Sequence, residues 1–159
     1  MAQDSETVII AETGLGKYQV EARMGDAAFL IDEPLAAGGL GSGPNPYDLL
    51  SAALGACTTM TIRLYANRKG WPLERVRTAV THARASLQAP DQFALNIALE
   101  GKLDETQRAR LMEIAEHCPV HLTLARGSQV HAALAPATAQ MQPIDSAAHM
   151  SCMEEACAD

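Results

Sequence analysis

Apolar and polar residues alternate along this chain with two periods, and the change from one to the other separates predicted strands from predicted helices. Residues 7–11, 18–23 and 27–32 are short mixed runs divided by the turn-forming stretches "TGLGK" and "MGD", a pattern that predicts an antiparallel meander. From Pro34 to Pro46 the period dissolves into glycine and proline, so a loop is expected there. Leu49, Leu50, Ala53, Leu54, Cys57, Met60, Thr61 and Leu64 then recur at helical spacing. Asn45 offers an oxygen to the unpaired amides at the start of this helix, Pro46 suits the first helical position, and Asp48 sets negative charge beside those amides. Gly70 and Pro72 end it. The small residues Ser51, Ala52, Ala53, Gly55 and Ala56 would let another element approach closely.

Two further strands are expected at 75–86, through Val76, Thr78 and Val80, and at 93–100, through Phe93, Leu95, Ile97 and Leu99, joined by "QAPDQ" into a hairpin with one wet face. Asp104 with Gln107 predicts a capped second helix whose stripe is Leu111, Ile114, Ala115 and Cys118, and Pro119 stops it. Pro119 can also open a new short helix with Cys118 at its N-cap. The stretch "HLTLARGSQVHAAL" predicts a turn of helix and a last strand. From about Pro136 onward the composition falls to Ala, Met, Gln and Pro, which divides the chain into a domain at 1–135 and a loosely ordered tail at 136–159. There is no internal repeat.

A chain of 159 residues is expected to form one domain. With only Trp71, Phe29, Phe93, Tyr18, Tyr47 and Tyr65 as aromatics, the core must be aliphatic and modest, which favours a dimer. The formal charge of −7 and the scattering of basic residues argue against nucleic-acid binding. The start "MAQDSETVIIAETG" has neither the basic residues nor the apolar run of a secretory signal, and no later stretch approaches the ~20 apolar residues of a membrane span. A cytoplasmic protein without a membrane partner is therefore expected. Four cysteines in a reducing compartment are poor structural disulfides, so a redox or metal role competes with simple burial.

Burial alone would raise the pKa of Cys57, in mid-helix, and make it unreactive without a cationic partner. Cys118 would gain from the amides of a helix starting at Pro119, while the negative end of the preceding helix points at the same residue. For either cysteine the plain alternative is a small buried apolar side chain. Taken together, "GPNPYDLLSAALGACTTMTIRLYANRKGWPLERV" and "IAEHCPVHLTL" resemble the OsmC/Ohr family of thiol-dependent peroxidases over roughly residues 18–134. The resemblance rests on a small-residue helix entered through Asn-Pro with a central cysteine, and on a Cys-Pro-Val step after a second helix. It implies an α+β fold, with antiparallel strands around a long central helix in the order βββ-α-ββ-α-β, and an intertwined homodimer with active sites at the subunit interface. It also implies an antioxidant, stress-response enzyme without a cofactor, reducing organic hydroperoxides. Cys57 would become a sulfenic acid, Cys118 would resolve it to a disulfide, and a dithiol or lipoylated protein would restore the thiols.

The helix start departs from the family pattern. Peroxidatic members carry Glu after the opening Pro and pair it with an Arg, whereas here Tyr47 holds that position with Asp48 beside it, and no basic residue lies between Met24 and Pro46. This Pro-Tyr-Asp start suggests a distinct subgroup. Lys17 and Arg23 are the nearest cations for tuning Cys57, with Tyr47 as a hydrogen-bond donor to a ligand oxygen and His121 as a modifier of Cys118. Two other readings compete with the peroxidase: a catalytically weak member that binds a small ligand or thiol, and a metal protein using the Cys/His set around "HCPVH". Only the Cys118 to His121 gap approaches a metal-ligand spacing. The stretch "GGLGSGP" lacks the Lys-Ser/Thr of a phosphate loop and reads as a flexible loop over the active site. Arg63 and Arg68 read as a solvated face, and His149, Cys152 and Cys157 as accidents of the tail.

Overall fold

The computed structural model describes residues 6–158, so Met1–Ser5, part of the segment read for a secretory signal, lie outside the described residues. Where one domain was expected, the chain divides into two compact units. The first runs to Leu49 and includes Gln129–Ala148; the second comprises Leu50–Ser128 with the segment from His149 onward.

The first unit contains the predicted meander, β1 (Ile9–Glu12), β2 (Val20–Met24) and β3 (Ala27–Ile31), paired antiparallel in the order β1-β2-β3 with Ile9 opposite Arg23 and Val20 opposite Ile31. Directly after β3 stands a buried carboxylate, Asp32. It accepts hydrogen bonds from the Ser42 hydroxyl at 2.8 Å and from the amides of Glu33 at 2.8 Å, Leu40 at 3.0 Å and Ser42 at 3.3 Å. Burial opposes its charge, but the Ser42 hydroxyl and these amides outweigh burial and lower its pKa. The glycine-rich stretch thus spends its amides on a carboxylate of its own unit, which argues against a phosphate cradle and against an unrestrained loop.

A lowered native pKa means that the unfolded chain binds the proton more readily, so this stabilisation is full above the ordinary Asp value and is lost as pH falls through the native one. The substitution Asp32→Asn is expected to lower the melting temperature at pH 7, and the gap to wild type should narrow as pH drops below 4. Thermal melts at several pH values check it, and identical melts at neutral pH would contradict this role.

The first turn of α1 (Pro46–Lys69) is capped as the sequence predicts. Asn45 Oδ1 accepts the amides of Tyr47 at 2.9 Å and Asp48 at 3.0 Å, and the Asp48 carboxylate accepts the Asn45 amide at 3.0 Å. At the far end, Gly70 takes a φ of 64°, and the amide of Trp71 donates back to the Ala66 carbonyl at 2.9 Å. By length and composition α1 is apolar enough to cross a membrane, contrary to the sequence expectation. Within the second unit, however, it buries Leu54, Cys57, Thr58, Thr61, Ile62, Tyr65 and Ala66, the behaviour of a core helix.

That unit also holds the hairpin β4 (Leu73–Ala83) and β5 (Gln92–Gly101), with Val76 opposite Leu99, Thr78 opposite Ile97 and Val80 opposite Leu95. Alternation puts these residues on one half-buried face. Gly55 lets α1 approach the hairpin: a Cβ there would stand 3.0 Å from Val80 Cγ2, and Thr59 and Thr78 share a hydroxyl hydrogen bond of 2.9 Å. The sheet face serves two clusters. One gathers Ile62, Tyr65, Leu73, Leu111 and Ile114 with Val76, Ile97 and Leu99 beside them; the other holds Leu54, Cys57 and Cys118 with Val80, Phe93 and Leu95. Helix α2 (Glu105–Glu116) carries the complete capping box of Asp104 and Gln107, and α3 (Pro119–Arg126) follows with Cys118 as its N-cap.

Three sequence expectations need correction. The last strand is not formed: residues 127–135 hold no strand, and the only β-bridge outside the named strands among the described residues joins Ile144 to Thr7. The loosely ordered tail does not describe the end of the chain, where α4 (Ala148–Ala156) buries Met153, and Cys157 follows it into the first cluster. Arg63 and Arg68 are not a merely solvated face, because Arg63 donates to the carbonyls of Leu73 at 2.6 Å and Glu74 at 3.1 Å. Arg68 donates to those of Glu154 at 3.0 Å and Cys157 at 3.1 Å, tying down the negative end of α4.

Candidate active site

The apolar stripe of α1 carries Cys57 into the second cluster, where it is 2% exposed. Cys118 arrives by another route. Pro119 cannot continue α2, so Cys118 turns to an extended conformation, φ −61° and ψ 140°, and becomes the N-cap of α3. Its sulfur is fully buried and accepts the His121 amide at 3.3 Å, with the Thr58 hydroxyl at 3.4 Å. The competition between helix ends is thereby decided in favour of the positive end of α3. The Val120 amide of the same turn points to Cys57 Sγ at 3.5 Å, and the two cysteines share one buried cluster. Both thiols are free.

The pair shares its protons unequally. Cys118 is pulled down to about 6, first because it accepts from Cys57, then by Thr58, the His121 amide and the charge of His121, all against the cost of burial. Cys57 moves up, first through its hydrogen bond to Cys118 and then through burial, with the Val120 amide and Thr61 working the other way. One negative charge near neutral pH therefore belongs to the pair.

A third group completes the constellation. His149 Nε2, on the first turn of α4, lies 3.2 Å from Cys57 Sγ, in the same unit. Sequence reasoning passed over it as a tail residue. The available signal was spacing: His149, Met153 and Cys157 recur every four residues, one face of a helix. Met153 and Cys157 are buried, Cys157 with its thiol toward the Thr61 carbonyl at 3.7 Å.

Of the other predicted site residues, His121 reaches Cys118 through its amide and its charge. Tyr47 and Asp48 belong to the first unit, where Asp48 caps α1. Lys17 and Arg23 are in that unit too, Lys17 at 5.1 Å from the Tyr18 ring and Arg23 at 3.9 Å from Glu21. Among the described residues no group of three His, Cys, Asp or Glu side chains is placed to hold one metal ion.

A central-helix cysteine meeting a Cys-Pro cysteine is the arrangement on which the family resemblance rested, and the sequence matches the model of the OsmC-like protein family over residues 39–132. The chain belongs to this family. No curated protein matches its sequence. The fold is shared with an OsmC-like protein from Mycoplasma pneumoniae, at 20% identity and a TM-score of 0.62 over 79% of this chain and 89% of that one. It is shared with an organic hydroperoxide resistance protein OsmC from Legionella pneumophila, at 25% identity and 0.59 over 78% and 91%. The organic hydroperoxide resistance protein OhrB of Bacillus subtilis follows at 21% and 0.52 over 76% and 90%. The stretch matched to the OsmC-like family contains Cys57 and Cys118 and stops short of His149.

Proposed function

We propose that this protein is a thiol-dependent peroxidase that reduces organic hydroperoxides in the cytoplasm as part of a stress response. The supporting observation is the pair of buried, free thiols of Cys57 and Cys118 in one cluster, each met by an amide of the first turn of α3, in an OsmC-like chain. Its neighbours from Legionella and Bacillus are named for organic hydroperoxide resistance. Cys57 attacks the terminal peroxide oxygen, the O–O bond breaks, and the alcohol leaves with a proton. The Cys57 sulfenic acid then condenses with the Cys118 thiol to a disulfide and water. A dithiol, free or as the lipoyl group of a protein, returns the disulfide to two thiols.

One equivalent of cumene hydroperoxide should remove two thiols, and peptide mapping should join Cys57 to Cys118. Loss of Cys152 and Cys157 instead, or no consumption in the presence of a dithiol, would displace this reading in favour of a small-ligand or thiol-binding member of the family.

The working form is a homodimer. In the second unit the small-residue face of α1 opens into a groove of about 430 Å³ lined by Ser51, Ala52, Gly55 and Met60 with Thr78 and Val80 below, and Met60 is 52% exposed. Sedimentation at micromolar concentration is expected to give twice the 16.9 kDa chain mass. A stable monomer would remove the dimer.

A further inference from the structure

A histidine from a part of the chain beyond its match to the family stands against the cysteine pair, His149 Nε2 at 3.2 Å from Cys57 Sγ. We propose that His149 is a catalytic residue, whose ring N–H draws the shared negative charge of the pair from Cys118 onto Cys57 and then protonates the departing alkoxide. This assignment rests on the peroxidase reading for its second half only.

The pair has two arrangements of one proton: a Cys57 thiol beside a Cys118 thiolate, or a Cys57 thiolate beside a Cys118 thiol. Cys118 holds the charge through the Thr58 hydroxyl and the His121 amide, with the His121 ring adding to it. On the Cys57 side stand one amide, from Val120 at 3.5 Å, and His149 Nε2 at 3.2 Å. The sheet packs Val80, Phe93 and Leu95 against this cluster, and His82, stacked on Phe93 at 4.7 Å, is paired with Asp91 at 2.8 Å; on α1 the neutral Thr58 bonds to Cys118 Sγ and Thr61 donates to the Cys57 carbonyl. Among the described residues His149 is the titratable side chain in hydrogen-bond contact with Cys57 Sγ, and an imidazolium there offsets the pull of α3 on the charge.

Holding the thiolate on Cys57 leaves Cys118 protonated, the form that must condense with a sulfenic acid. The balance is closed. The Cys57 thiolate takes the terminal OH of ROOH as the O–O bond breaks, the RO⁻ so released takes the proton of the His149 imidazolium, and the products are Cys57 sulfenic acid, ROH and neutral His149. Net charge is unchanged, with the thiol oxidised by two electrons and the peroxide reduced by two. Solvent then reprotonates His149.

The helix α4 that carries this ring is fastened at its other end. Arg68 holds the carbonyls of Glu154 and Cys157, and Met153 and Cys157 are buried. The position of the ring is thus fixed by packing.

The test compares labelling of the two cysteines within one molecule, without any hydroperoxide. Reduced wild type and His149→Gln are treated with substoichiometric iodoacetamide between pH 5.5 and 10, and the ratio of carbamidomethyl-Cys57 to carbamidomethyl-Cys118 is read by peptide mass spectrometry. Wild type is expected to exceed His149→Gln in this ratio by about tenfold or more at low pH, since an adjacent opposite charge shifts a thiol by one to three units. The wild-type ratio should fall as the imidazolium loses its proton, while the variant's ratio stays flat. Superimposed ratios at every pH, or a difference that does not change with pH, would overturn the assignment.

A second variant, His149→Asn, keeps the test open if His149→Gln does not fold: its label ratio should fall below wild type at low pH as the glutamine variant's does, and a ratio like wild type at every pH overturns the proposal. A shifted label ratio in a protein that consumes no hydroperoxide would retain His149 as the thiol's partner and dismiss the peroxidase. Hydroperoxide consumption with an unshifted ratio would do the reverse.

Discussion

Serine at position 57 is expected to abolish turnover of cumene hydroperoxide with dithiothreitol, a fall of roughly 10³-fold or more, because a hydroxyl cannot replace a thiolate as the attacking group at neutral pH. The substitution removes no packing volume of note, and the buried cluster of Leu54, Cys118, Val80 and Phe93 should stay intact. Unchanged circular dichroism beside lost activity is the result sought. Cys118→Ser is expected to behave differently: one hydroperoxide is still reduced, the sulfenic acid on Cys57 accumulates and reacts with dimedone, and continued exposure drives it to sulfinic acid. Retention of more than a tenth of wild-type turnover by Cys57→Ser would refute the assigned roles.

The second large effect is on stability against pH. In the folded chain the pair gives up one proton near 6 and resists losing the second, while unfolded thiols lose their protons near the ordinary value of 9.0. Between about pH 6 and 9 the unfolded chain therefore holds one more proton than the native one, and stability rises with pH. Above 9 the unfolded chain gives up both protons while the native pair keeps one, and stability falls again. The limiting slope is one proton, about 1.4 kcal/mol per pH unit, and the contribution of the pair peaks near the unfolded thiol value. Urea titrations of reduced protein should show this maximum, and Cys118→Ser should lose the rise between pH 6 and 9. A wild-type profile flat over that interval, with no thiolate absorbance appearing near pH 6, would show that the pair does not share a proton.

Much of the fold was legible because its signals are local. The cap of Asn45, Pro46 and Asp48, the capping box of Asp104 and Gln107, and the N-cap of Cys118 before Pro119 each depend on residues within four positions, and each appears as read. Strict alternation likewise marked the faces of β4 and β5. The failures share the opposite cause. Residues 148–157 have a weakly apolar composition, and what orders them is remote: the Arg68 guanidinium and the cluster around Leu111 and Ile114. The "HLTLARGSQVHAAL" stretch shows how an apolar run can be misread, since its first half completes α3 and its second half finds no partner strand among the described residues.

Sequence alone determined the two cysteines, their helical settings and the family. Those depend on periodicity, on the missing amide hydrogen of proline and on the reach of a side chain to its own backbone, all short-range constraints. Tertiary structure alone decided which charges and donors meet the sulfurs. It put the Val120 and His121 amides on opposite members of the pair, and it brought His149 to Cys57 across 92 positions of sequence. Lys17 and Arg23 were proposed from proximity along the chain, whereas electrostatic tuning depends on distance in space and on solvent exposure, neither of which is written in the spacing of residues.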